Sequence, residues 1–184
     1  MTAKNYFFIG VNGSDTGRNF IVDGFTSTLL ANNKNIIAVR GSRSEDFDAA
    51  TLEDVIGKID RAILNAPAET DAIVFSGWEN LKFLKEIYNQ YYNSSCFVFF
   101  KGEDREKPFE QRKKSLSITE SQFQNVRDSQ KALVQNMLEE HNLVLDYHLV
   151  NDTPLFNSDL TPNTNLTGAS PKHYEIAVLG NISL

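Results

Sequence analysis

The residues from Gly10 to Asn19 (Gly10-Val11-Asn12-Gly13-Ser14-Asp15-Thr16-Gly17-Arg18-Asn19) have the composition of a loop that wraps an anion. An apolar run, Tyr6-Phe7-Phe8-Ile9, precedes them, and a stretch of helical periodicity follows over 17–31. Strand, glycine-rich turn and helix in that order would bring backbone N–H groups and a helix N-terminus to one point, where they attract phosphate. The full phosphate-loop pattern is G-x-x-x-x-G-K-[ST], with Lys on the β/γ-phosphates and the hydroxyl on Mg²⁺. Here Gly17-Arg18-Asn19 stands where Gly-Lys-Ser would, and Asn12 stands where the first glycine belongs. Gly10 can supply that glycine with two extra residues in the loop. Gly10, Gly13, Ser14, Thr16, Gly17, Arg18 and Asn19 are therefore the candidate phosphate contacts, and Arg18 is the principal one. An arginine at a helix start opposes the macrodipole unless an anion is present, although a surface arginine turned to solvent would also fit. Ser14, Asp15 and Thr16 equally suit an ordinary N-cap cluster. Asn19 offers a carbonyl oxygen as a weak metal ligand, but no hydroxyl.

Further candidates lie where later strands should end. The segment 101–119 is dense in charge and contains Pro108. It reads either as a solvated helix and loop or as a lid whose arginines close on phosphate. Arg105, Arg112 and, beyond it, Arg127 are candidate clamps on a transferring phosphoryl group; each alone also suits a surface ion pair. Trp78, after the third strand candidate, could stack a base or pack as a rim aromatic. No His-Cys-carboxylate cluster has metal spacing, and no Gly-x-Ser-x-Gly elbow is present.

The elements that must position these residues alternate regularly. Strand candidates at 6–9, 36–39, 72–75, 97–100 and 143–150 are separated by helical stretches at about 17–31, 49–64, 79–91 and 120–140. The clearest helix is the last, with Phe123, Val126, Leu133, Val134, Met137 and Leu138 at helical spacing. Short, wholly apolar strands between helices imply an α/β fold: a doubly wound, mostly parallel sheet of about five strands with helices on both faces. Ligands of such sheets bind at the carboxyl ends of the strands. A polar tail over 161–184 ends in an apolar stretch, 174–179, that reads as an antiparallel edge strand or a contact with another subunit.

Composition narrows the partners. The 184 residues suffice for one domain with a substantial core, rich in aromatic rings from thirteen Phe and six Tyr. A net charge of -6 argues against bulk affinity for nucleic acid, although a local basic patch is compatible with it. The single cysteine, Cys96, sits in the apolar run Cys96-Phe97-Val98-Phe99-Phe100 and reads as a buried small hydrophobe. With no charged-plus-apolar leader and no run approaching the roughly 20 residues of a bilayer span, the expectation is a cytoplasmic protein with no membrane partner.

Three motifs resemble the nucleotide-kinase branch of P-loop proteins, most of all phage-type deoxynucleoside monophosphate kinases and dephospho-CoA kinase. Gly17-Arg18-Asn19-Phe20 is similar to the Gly-Lys-Asp-Thr of the phage-type enzymes. Phe123 with Val126-Arg127-Asp128 is similar to a helix that carries an Arg-Asp pair after the lid. Leu145-Asp146-Tyr147-His148-Leu149-Val150-Asn151-Asp152 is similar to a late strand ending in Asn-Asp. The resemblance spans roughly residues 5–160 and implies a P-loop kinase-like domain over 1–160 with a lid at about 101–119. It implies ATP and Mg²⁺ as cofactors, and transfer of the γ-phosphate to a small nucleotide, a deoxynucleoside monophosphate in particular. It places Asn151 in a loop against the adenine, and Arg40 and Arg43 on the acceptor phosphate, where two ordinary exposed loop arginines are the alternative. The chain departs from the pattern at the third strand, Ile73-Val74-Phe75-Ser76-Gly77-Trp78, which offers no carboxylate until Glu79. Arg for Lys is also not a neutral exchange in a tight phosphate loop. A second expectation is therefore a catalytically inactive kinase-like fold that binds a nucleotide or another protein; a third is an assembly subunit, with homo-oligomer contacts through 174–179.

Overall fold

The computed structural model describes residues 3–11, 18–41, 50–77, 81–101, 118–150, 157, 159 and 172–180, with the backbone alone for 18–20, 81, 146–150 and 172–174. Of the candidates named above, Gly13, Ser14, Thr16, Gly17, Arg43, Trp78, Arg105, Arg112 and Asn151 lie outside these residues.

In chain order the elements are β1 (Lys4–Gly10), α1 (Arg18–Ala31), β2 (Ile36–Arg40), α2 (Leu52–Leu64), β3 (Ala72–Ser76), α3 (Leu84–Tyr91), β4 (Ser95–Lys101), α4 (Glu120–Glu140), β5 (Asp146–Val150) and β6 (Lys172–Leu179). One-turn 3-10 segments, Leu81–Phe83 and Tyr92–Ser94, flank α3. The six strands form one sheet in the order β2-β3-β1-β4-β6-β5. β2, β3, β1 and β4 are mutually parallel, whereas β6 runs antiparallel to both β4 and β5. The chain is thus α/β with a mostly parallel sheet. The 174–179 stretch is a strand and antiparallel as expected, but it is not an edge: β5 covers its far side, and the sheet edges are β2 and β5.

Alternation along β1 sends its side chains to two cores, because successive residues of a strand point to opposite faces. Tyr6 and Phe8 meet Val74, Cys96, Val98 and Phe100 beneath Ile21, Phe25 and Leu29 of α1. These three α1 residues recur every four positions and are essentially fully buried, each burial worth about 1.5–3 kcal/mol. Phe7 and Ile9 meet Ile73, Phe75, Phe97 and Phe99 under α2, α3 and α4. Phe7 is in register with Phe75 on one side and Phe97 on the other. Its ring stacks on both, at 4.5 Å and 5.0 Å between centroids.

Local chemistry sets the helix boundaries. Thr51 caps α2 by accepting from the Asp54 amide, and Glu53 and Asp54 complement the dipole of its first turn. α4 opens with a capping box in which Thr119 and Gln122 satisfy each other's backbone amides. On α4 the buried stripe is Phe123, Val126, Arg127, Gln130, Val134, Met137 and Leu138. Tyr91 at the end of α3 donates its hydroxyl proton to Asp60 of α2 at 2.6 Å, tying the two helices together.

Candidate functional site

The carboxyl edge of the sheet has a break in its winding at β1. β1 leads into α1, which packs on one face, whereas β2 and β3 lead into α2 and α3 on the other. α4, which follows β4 in chain order, also packs on that other face. The helix that follows β1 therefore packs on the face opposite to the helices that follow its neighbours β3 and β4. In open α/β sheets, ligands bind outside the carboxyl ends of the strands at such a reversal.

The main chain at this rim of the sheet is held in register. The Val11 amide donates to the Phe100 carbonyl at 2.8 Å, carrying the β1–β4 ladder one residue past Gly10. The Gly41 amide donates to the Ser76 carbonyl at 2.9 Å and does the same for β2 and β3. Gly77 then turns the chain away with φ of 71°, a left-handed conformation that glycine adopts without steric cost. Lys101, the last residue of β4, pairs with Glu175 of β6 at 3.8 Å. The sequence signals for these turns were the Gly after Arg40 and the Ser-Gly pair after Phe75.

Gly10 ends β1 at this rim, and Arg18 and Asn19 open α1, with residues 12–17 between them outside the described set. α1 differs from the other α-helices at its start. The first turns of α2, α3 and α4 contain Glu53 and Asp54, Glu86, and Glu120 respectively, whereas that of α1 contains no acidic residue. Its N-terminal partial charge is left without a complementary carboxylate within its first turn.

Arg40, the last residue of β2, is exposed and in register with Ser76 on the same rim. Arg127, the third of the arginines read as candidate clamps, is buried and not a surface ion-pair partner. It is 6% exposed, on the inner stripe of α4, with its guanidinium carbon 4.9 Å from the centroid of the Phe123 ring. Its neighbour Asp128 faces solvent and accepts from the Gln124 side chain at 2.9 Å. The Arg-Asp pair of the sequence motif is thus split between interior and surface.

Comparisons of the chain with models of protein families, with curated proteins and with solved structures return no match. The site rests on its own geometry. Among the described residues no group of His, Cys, Asp and Glu could hold a metal ion, and no helix is long and apolar enough to cross a membrane. Cys96 is fully buried, and burial pushes its thiol up to about 12, so it stays protonated and unreactive at neutral pH.

Proposed function

We propose that the chain binds the phosphates of a nucleotide at the junction of β1 and α1, in a P-loop kinase-like arrangement, and passes the γ-phosphate of ATP to a small nucleotide. The observation that carries this reading is the reversal of winding at β1, which combines Gly10 at the strand end with an α1 N-terminus lacking acidic residues in its first turn. In this reading Gly13, Ser14, Thr16 and Gly17 supply amides and hydroxyls to the phosphates, and Arg18 supplies the charge. The guanidinium gives the fork geometry that suits two phosphate oxygens at once. Arg40, exposed on the same rim, holds the phosphate of the acceptor, and Asn151 flanks the base.

One observation favours a second reading, binding without turnover. β3 ends at Ser76 with no carboxylate in the strand, and Glu79, the first carboxylate beyond it, lies outside the described residues. A Mg²⁺ ion bridging the phosphates would meet Asn19 at the position where a hydroxyl is usual, with Asp15, Asp23 or Glu79 as further ligands only where the fold brings one into reach.

Isothermal titration with ATP, GTP and the deoxynucleoside monophosphates, with and without Mg²⁺, tests both. Saturable binding that is lost in Arg18→Ala supports the site. Absence of binding by any nucleotide removes the proposal.

A further inference from the structure

The two edges of the sheet are unlike. β5 carries Asp146 and His148 within its sequence, the kind of polar interruption that discourages a strand from pairing further. β2 reads Ile36-Ile37-Ala38-Val39-Arg40: no Pro, no Lys and no charge before its last residue. The hydrogen bonds to β3 fix which way its main chain points. Ala72 donates to the Asn35 carbonyl and Gly41 to the Ser76 carbonyl. With the register Ile36↔Ala72 through Arg40↔Ser76, residues 35, 37, 39 and 41 bond inward to β3. The N–H and C=O groups of Ile36, Ala38 and Arg40 point away from the sheet, and among the described residues no strand pairs with them.

This outer edge is self-complementary. A two-fold axis through Ala38 would pair Ala38 with its own copy and Ile36 with Arg40 of the other chain, all through outward-pointing groups. The residue on the axis is small and exposed. The only charge, Arg40, falls opposite an isoleucine and not opposite another arginine, an arrangement without the like-charge clash that penalises facing strands. The helices on either side of β2 in the chain add apolar surface. Leu30 at the end of α1, and Leu52 and Leu64 at the two ends of α2, are three of the five exposed large hydrophobic residues among those described. An apolar edge with which, among the described residues, no strand pairs is a liability in a lone domain.

We infer that β2 is a homodimer interface: two copies join their sheets edge to edge, antiparallel, with Ala38 on the two-fold axis. The carboxyl edges of the two sheets then point in opposite directions, so the proposed sites at β1 stay separate and each chain keeps a whole site. The interface does not depend on what those sites bind.

Sedimentation velocity on the full chain, from low micromolar to about 0.3 mM, covers the range where a short interface with micromolar to millimolar affinity is populated. The expected result is a monomer–dimer equilibrium. Ala38→Lys sets two ammonium groups against each other at the axis and raises the dissociation constant by about tenfold or more, with the circular dichroism spectrum unchanged. Ala38→Cys gives the complementary readout. Directly opposed residues that exchange both hydrogen bonds have Cα atoms about 5.5 Å apart, inside the range a disulfide spans. Under mild oxidation this variant should form a covalent dimer, while Val144→Cys, an exposed position away from β2, should not; the buried Cys96 does not compete. A chain that stays monomeric across the whole range overturns the inference. So does a dimer that Ala38→Lys leaves intact and Ala38→Cys fails to cross-link, since its interface would lie elsewhere.

Discussion

The amide of Val11 bonds to the carbonyl of Phe100 at 2.8 Å, one position beyond the end of β1, so the point from which the loop leaves the sheet is held by β4. A phosphate loop acts by preorganisation: its amides stabilise an anion only if the chain enters and leaves at fixed places. On the proposed reading the entry is fixed by that bond and the exit by α1, whose Ile21, Phe25 and Leu29 anchor it to the sheet.

Arg18 lies between the two anchors and carries the first prediction. Its replacement by Ala should weaken nucleotide binding by roughly 1.5–3 kcal/mol, the range for a hydrogen bond to a charged group. Titration calorimetry reads this directly. Undiminished affinity in Arg18→Ala would move the site away from the start of α1.

Phe7 is the keystone of the larger core, stacked on Phe75 and Phe97 and itself 1% exposed. Phe7→Ala should lower stability by about 3–5 kcal/mol, because two stacked rings and the helices above them would line a cavity. Urea denaturation gives the value; a cost below about 1 kcal/mol would mean that the core collapses into the space.

Tyr91 and Asp60 support a smaller effect. Tyr91→Phe removes the 2.6 Å hydrogen bond between α3 and α2 but keeps the ring in place. Because the carboxylate is exposed, the loss should be about 1 kcal/mol, near the mean for one hydrogen bond. A double mutant with Asp60→Asn separates the pair from other effects of either change.

Burial raises the Tyr91 hydroxyl and the Cys96 thiol above their ordinary values, and for Tyr91 the hydrogen bond to Asp60 adds to it. Both groups are neutral when protonated, so the native state holds its protons more tightly than the unfolded chain does. Their contribution to stability is complete below the unfolded values of 9.0 and 10.0 and declines as pH rises beyond them. The alkaline limb of a stability–pH profile should therefore be steep, and it should flatten in Cys96→Val. Ellman's reagent at pH 8 should leave the native thiol untouched and react with it fully in denaturant. Rapid labelling of the native protein would contradict the burial.

Particular elements show what a sequence of this kind reveals. The helix over 120–140 was legible because its apolar spacing persists over many turns, and the structure has it at the same bounds. The four parallel strands, β1 to β4, were legible as apolar runs that begin or end within a few residues of their observed limits. The interior place of β6 was not, since strand order depends on pairing across long separations and periodicity carries no record of the neighbour. The burial of Arg127 was readable. The residue follows Phe123 by four residues and precedes Gln130 by three, which puts it on the apolar stripe whatever its charge. Likewise Thr119-Glu120-Ser121-Gln122 has the spacing of a capping box and marks the start of α4 without any structure.

The metal separates an enzyme from a nucleotide-binding relic. A working phosphoryl transferase uses Mg²⁺ to bridge the β- and γ-oxygens and holds the ion with a hydroxyl and a carboxylate shell. On the proposed reading Asn19 stands in place of the hydroxyl and β3 ends at Ser76 without a carboxylate, while Asp15 and Glu79 lie outside the described residues. Asp23 lies within α1 and is exposed. Nucleotide affinity should therefore change little when Mg²⁺ is chelated, and phosphate transfer from ATP to each deoxynucleoside monophosphate should fall well below the usual kinase range of about 1–100 s⁻¹. Asn19→Ser restores the hydroxyl and should steepen the Mg²⁺ dependence without creating the missing carboxylate. Turnover in the ordinary kinase range by the unaltered chain would reject the inactive reading outright. Mg²⁺-independent binding with no transfer would establish that the proposed site at β1 recognises a nucleotide without reacting with it.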